Sequence, residues 1–160
     1  ASRPALGDYL LLFRKPGDNE VPVKPECTRP EWTDWAAPIW TTDQGPFDAI
    51  DAGPFAGAWF DVRETNTLNT AVARDSADER HICPLQLDLI ERVLRLWSNR
   101  GELVLSPFGG IGSEGVVSIQ QGRRFVGCEL KPSYWRTAVA NLRRAENDAR
   151  AGTLFEVADA

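Results

Sequence analysis

Gly110, Gly112, Gly115 and Glu129 have the types and spacing to do chemistry together. The glycines follow the short apolar run Leu103-Val104-Leu105, and Glu129 closes the next one, Arg124–Cys128. A strand runs into a glycine turn, the turn opens a helix, and the following strand ends in a carboxylate. Glycines let backbone approach a ligand closely, and a carboxylate at a strand end accepts hydrogen bonds from ribose hydroxyls. The spacing Gly110-x-Gly112-x-x-Gly115 matches the dinucleotide fingerprint, with the acid close to the expected ~20 residues further on. These residues point to an adenosine-containing cofactor and leave a nicotinamide dinucleotide open. The bland alternative is a glycine-rich turn with a solvated glutamate. The whole unit is present, not the glycines alone, and this argues against that alternative.

The elements that must position these residues follow from the apolar pattern. Pro84 opens a helix to about Trp97, with Leu87, Ile90, Val93, Leu94 and Trp97 on one face. Ser98-Asn99-Arg100-Gly101 ends it. A second helix is expected from about Ser113 to Gln121, stopping at Gly122. Pro132 starts a last helix to about Ala149, with Trp135, Val139 and Leu142 on its buried side. Thr153–Val157 reads as a last strand or a loose tail. Upstream, Asp8–Lys15 is a continuous apolar run halted by Pro16-Gly17 and reads as a buried strand. Residues 16–60 hold most of the prolines and four of the six tryptophans, with little periodicity. They read as an irregular insertion with helical turns around Glu31–Trp40, packed as surface loop rather than built to face DNA or cover a cofactor. Trp59–Arg63 reads as a short strand or an extended segment, and Thr65–Asn69 supplies small polar groups.

Composition bounds the rest. One hundred and sixty residues suit a single domain, 1–160, with one core. No apolar run approaches the ~20 residues of a membrane span, and the start carries no signal-peptide pattern. Cys27, Cys83 and Cys128 are scattered and odd in number, which fits neither a disulfide framework nor zinc and suits a reducing cytoplasm. A net charge of −5 argues against a nonspecific grip on nucleic acid through global charge. Position 1 is not Met, so the chain reads as a piece of something longer or as one that has lost a leader. His81 lacks a nucleophile or carboxylate partner in sequence and is read as structural. Arg123-Arg124 and Arg143-Arg144 are read as solvated ends of a strand and a helix rather than phosphate contacts.

Residues 81–135 resemble the amino-methylating DNA methyltransferases, which modify adenine or cytosine amino groups with S-adenosylmethionine. The resemblance is to the circularly permuted class, phage-type members above all, whose cofactor half follows the catalytic half. Ser106-Pro107-Phe108-Gly109-Gly110-Ile111-Gly112 is similar to that family's cofactor loop, usually Asp-Pro-Phe-x-Gly-x-Gly. The resemblance implies an α/β chain with part of a Rossmann-like methyltransferase fold, a mostly parallel sheet flanked by helices. It implies that Phe108 packs beside the adenosine or methionine portion. Gly109, Gly110, Gly112 and Ser113 would line the close approach, and Glu129 would bind the ribose. His81, Cys83, Pro84 and Leu85 would line the methionine end, with Thr67 just before them. Residues 81–150 would then be the cofactor-binding core, in a phage or restriction-modification setting. Double-stranded DNA would be the partner of the complete protein, and no membrane is involved.

Two departures from the family pattern matter. Ser106 stands where the family usually has Asp, which bears on cofactor affinity. The catalytic tetrapeptide, an acid, Asn or Ser followed by Pro-Pro-aromatic, is absent; Ser106-Pro107-Phe108 lacks the second proline and belongs to the cofactor loop. That tetrapeptide holds and aligns the target amino group. The chain therefore reads as a carboxyl-terminal cofactor-binding part that, alone, binds weakly or not at all and does not methylate. Its partner would be an amino-terminal catalytic part or a second chain. A nicotinamide-dependent oxidoreductase domain and a noncatalytic half of a split or remnant enzyme stand as rivals. Part of a sheet leaves an apolar edge, so self-association, or cover by the amino-terminal segment, is expected.

Overall fold

The computed structural model describes residues 10–36, 59, 61–68 and 84–158, with side chains up to residue 151 in the last stretch. Its elements are α1 (Arg29–Trp35), α2 (Leu87–Trp97), β1 (Leu103–Ser106), α3 (Ser113–Gln120), β2 (Arg124–Gly127) and α4 (Pro132–Ala158). The strands β1 and β2 are parallel neighbours, with Val104 opposite Phe125 and Ser106 opposite Gly127, and α3 makes the crossover between them.

Strand alternation sorts the side chains onto two faces. Val104 packs on a core of Ile90, Leu94 and Val117 with Leu87, so α2 and α3 cover that face. Phe125 lies on the same face, where its ring meets α3 at Gly115. Leu103, Leu105 and Val126 point the other way and are exposed, Leu105 to 65 %. The result is an α/β unit whose parallel sheet carries helices on one face and bare apolar side chains on the other.

Gly115 shows why the crossover is tight. A Cβ there would stand 2.4 Å from Leu142 Cδ2 and 2.6 Å from Phe125 Cδ1, so only glycine lets α3 sit against both β2 and α4.

Several expectations need correction. Leu10–Phe13 is exposed and forms no strand; nothing among the described residues pairs with it, and it does not cover the sheet. Of the two readings of Trp59–Arg63, the strand is not formed at Trp59 or at residues 61–63. The helix begun by Pro84 starts instead at Leu87, because Gln86 is an extended N-cap at φ −64°, ψ 133°. Its buried residues are Ile90, Arg92, Leu94 and Leu96, while Val93 and Trp97 are only half-buried. Trp135 is exposed; the buried side of α4 runs through Ser133, Ala138 and Ala145, small residues that admit close contact with the turn and α3. The segment Thr153–Val157 continues α4 as helix.

A clasp holds the upstream segments to the outer side of α2. Thr28 caps α1 through a reciprocal pair with Glu31. The Arg92 guanidinium lies 4.7 Å from both the Trp35 and Trp59 ring centres and bonds both Asp61 oxygens at 2.9 and 2.5 Å. Stacking and a bidentate carboxylate satisfy a buried charge, which is why an arginine occupies a core-facing position. Arg123 is likewise buried rather than solvated. It donates to the Leu94, Ser98 and Gln121 carbonyls and pairs with Glu26 at 3.0 Å, tying the start of β2 to the end of α2.

Gly115→Ala tests the crossover. Alanine gains about 1 kcal/mol of helix propensity, but overpacking against the Phe125 ring costs about 1–3 kcal/mol. Thermal denaturation should show a lower midpoint; an unchanged or raised midpoint would contradict the packing described.

Candidate functional site

The glycine turn is pinned at four successive residues. Ser106 ends β1 buried, and its carbonyl accepts the Cys128 N–H at 2.9 Å. The Gly109 N–H donates to the Cys128 carbonyl at 2.6 Å, and a Cβ at Gly109 would come within 3.2 Å of that oxygen. The Gly110 N–H donates to Glu129 Oε2 at 2.8 Å. The Ile111 carbonyl accepts from Asn141 Nδ2 at 2.9 Å, and the Gly112 N–H donates back to the Gly109 carbonyl at 2.8 Å. Gly110 and Gly112 have φ of +51° and +91°, the left-handed region that favours glycine. Gly112 caps α3, and a Cβ on it would press on Ala138 at 3.3 Å.

Glu129 closes this loop from the far side. Its second oxygen, Oε1, accepts the Lys131 N–H at 2.8 Å. One carboxylate therefore joins the turn after β1 to the chain that leads from β2 into α4. The space outside the turn is open: a Cβ on Gly110 would meet nothing within 4 Å. Phe108 is 85 % exposed and Leu130 99 % exposed on either side of this feature in sequence. Apolar side chains left in water next to a fixed carboxylate suit the flat face and hydroxyls of a nucleoside.

Thr67, Pro84 and Leu85 form a second group, at the start of α2. The Asn66 carbonyl accepts the Leu87 N–H at 2.8 Å. Asp88 accepts from Asn66 Nδ2 at 2.7 Å and from Arg63 Nε at 2.9 Å, so the helix start holds the 63–67 turn. The hydrogen bond from Arg63 keeps the Asp88 carboxyl far below the usual carboxylate range. Arg92 lowers Asp61 in the same way. His81 and Cys83 lie outside the described residues. The hydrogen bonds thus gather Ser106, Gly109, Gly110, Gly112 and Glu129 into one cluster, while at the start of α2 it is Asn66, beside Thr67, that bonds Leu87 and Asp88.

Asn141 and Lys131 carry no sequence signal that marks them. Asn141 sits mid-helix with no motif around it, and Lys131 contributes a backbone group, which no side-chain pattern reveals. A hollow of about 180 Å³ opens at the clasp, lined by Trp35, Asp61, Arg63, Asp88, Glu91, Arg92 and Arg95. Its charges already neutralise one another through the pairs Asp61–Arg92, Arg63–Asp88 and Glu91–Arg95. Among the described residues, no group of His, Cys, Asp and Glu could hold a metal ion, and no helix is long and apolar enough to cross a membrane.

Residues 6–140 match the N6/N4 methyltransferase family model, described as DNA methylase. The chain belongs to this DNA methylase family. Within it, the chain is 41 % identical over 66 residues to the type II methyltransferase M1.MboII of Moraxella bovis, covering 41 % of this chain and 25 % of that protein. It is 22 % identical over 135 residues to M.BglI of Bacillus subtilis, covering 84 % of this chain and 30 % of that protein. The DNA adenine methyltransferase YhdJ of Escherichia coli is 37 % identical over 54 residues, 34 % of this chain and 18 % of its own. Among solved structures, the M1.HpyAVI–SAM complex overlaps 39 % of this chain and 31 % of its own at 32 % identity, with a TM-score of 0.38. A DNA modification methylase of Thermus thermophilus, complexed with S-adenosyl-L-methionine, overlaps 83 % and 41 % at 26 % identity, with a TM-score of 0.47. The chain thus spans about a fifth to a third of the length of these curated methylases.

Glu114, the second residue of α3, is half-buried, and burial pushes its carboxyl above the usual range. A raised folded value means that stability is complete below the unfolded carboxyl range and declines as pH rises through the folded value. Glu114→Gln removes that penalty. Its melting point should match wild type near about pH 4 and exceed it near about pH 7. A variant less stable than wild type at the higher pH would contradict an uncompensated burial.

Proposed function

We propose that this chain is the S-adenosylmethionine-binding part of a DNA methyltransferase that acts on the amino group of adenine or cytosine. Residues 81–150 form the cofactor core, and double-stranded DNA is the substrate of the complete protein. The observation that carries the reading is the Glu129 carboxylate fixed against the left-handed Gly110 turn, in a chain of the DNA methylase family.

The residues present suit the group. Glu129 would take the ribose hydroxyls through the lone pairs its backbone bonds leave free, since a carboxylate offers about four such sites. Phe108 would lie on the adenosine or methionine portion. The backbone of Gly109, Gly110, Gly112 and Ser113 permits close approach, with Ser106 beneath the turn. Thr67, His81, Cys83, Pro84 and Leu85 would form the methionine end. S-adenosylmethionine supplies an electrophilic methyl group on a sulfonium, ready for an exocyclic amino nitrogen. No residue of this chain is assigned to hold the target base, because the Pro-Pro-aromatic tetrapeptide is absent from the sequence. A catalytic part, whether joined to this chain or separate, would supply that element, flip the base from the duplex and cover the bare face of Leu103, Leu105 and Val126. A nicotinamide role has no support from the family to which the chain belongs.

Calorimetry with S-adenosylmethionine tests this directly. Wild type should bind, Glu129→Ala should bind at least about tenfold more weakly, in keeping with a charge-assisted bond of roughly 1.5–3 kcal/mol, and NAD should give no thermal shift. Equal binding by both proteins would remove the ribose role, and a shift with NAD alone would replace the reading.

A further inference from the structure

We infer that Glu129, besides the ribose contact proposed above, is the latch that sets the Gly110 turn through its two backbone bonds. The inference rests on the reading of this loop as the cofactor site and adds a positioning role to the same side chain.

Two short backbone bonds hold the side chain. Oε2 accepts the Gly110 N–H and Oε1 the Lys131 N–H, each at 2.8 Å. Bonds to an ionised acceptor are shorter and stronger than neutral ones. The two donors lie 21 positions apart in sequence, on opposite sides of the site. Gly110 is the middle of a turn whose neighbours are fixed by other groups: Gly109 by the Cys128 carbonyl, Ile111 by Asn141 and Gly112 by Gly109. At Gly110 itself, the described hydrogen bond is the one to Glu129. The residue has a left-handed φ and open space where a side chain would be, so packing does not hold it.

Three consequences follow for the side chain at position 129. It is oriented by two backbone donors, one on each oxygen, and each oxygen keeps acceptor capacity. An amide at that position keeps one acceptor oxygen and so serves only one of the two N–H groups. A methyl at that position frees both, and the turn loses its set conformation along with the ribose contact. Removing Glu129 should therefore weaken even a ligand that has no ribose hydroxyls to offer it.

The test uses the 160-residue chain, Glu129→Ala and Glu129→Gln. Amide exchange measured by NMR on ligand-free protein is the first arm. Gly110 and Lys131 should both exchange at least about tenfold faster in Glu129→Ala, the factor that about 1.4 kcal/mol of lost bonding produces. In Glu129→Gln one of the two amides should remain protected, and α3 amides should be unchanged in both. Calorimetry is the second arm, with S-adenosylhomocysteine and with its analogue lacking both ribose hydroxyls. Glu129→Ala should bind the analogue several-fold more weakly than wild type does. A merely ribose-contacting residue would leave that affinity unmoved. Unchanged exchange at Gly110, or equal affinity of wild type and variant for the analogue, overturns the latch. Failure of wild type to bind either compound overturns the cofactor reading instead, and the exchange arm still decides the latch.

Discussion

A carboxylate that accepts two backbone N–H groups, one before and one after the crossover, is the constraint on which the rest of this structure turns. Parallel strands need a crossover helix between them, and the helix N-terminus must meet the end of the first strand through a short turn. Here Gly110, in the middle of that turn, is left-handed with open space on its outer side, so packing does not hold it. Glu129 at the end of β2 supplies the missing tie. The same geometry gives an anionic acceptor and exposed apolar groups at the carboxyl ends of the strands, where open α/β sheets bind ligands. Fold and candidate site are therefore one arrangement: the bonds that close the βαβ unit are those that hold the Gly110 turn and the Glu129 carboxylate together.

Everything else keeps that edge in place. Gly115 lets α3 lie close on β2 and α4, and Ala138 and Asn141 of α4 press on and bond the turn from behind. Arg123 anchors the start of β2 to the carbonyls at the end of α2. Further out, the Trp35–Arg92–Trp59 stack and the Asp88 node hold Trp59 and the 61–67 segment against α2. Buried guanidiniums recur because they can satisfy several carbonyls and a carboxylate at once, where an apolar residue would leave those acceptors unpaired.

The turn, the strands that flank it and the closing acid are legible in the sequence, because each rests on local chemistry. Glycine spacing, the short apolar run and a strand-end carboxylate need no distant partner to be read. The helices are legible for the same reason, to within a turn at their starts. Leu10–Phe13 misleads because an apolar run becomes a strand only beside another strand. Trp135 misleads because the buried side of α4 is made of small residues, which hydrophobicity alone ranks low. Arg92 and Arg123 escape a local reading because their burial depends on acceptors about 25 to 30 residues away in sequence. Thr153–Val157 resembles a strand by composition, yet the helix ahead of it simply continues.

The most direct measurement is a crystal structure of the chain soaked with S-adenosylmethionine. The account predicts density for the nucleoside beside Phe108, both ribose hydroxyls on Glu129, and the Gly110 and Lys131 N–H bonds to that carboxylate retained. A ligand bound elsewhere, or a Glu129 carboxylate turned away from both the turn and the ribose, would contradict it.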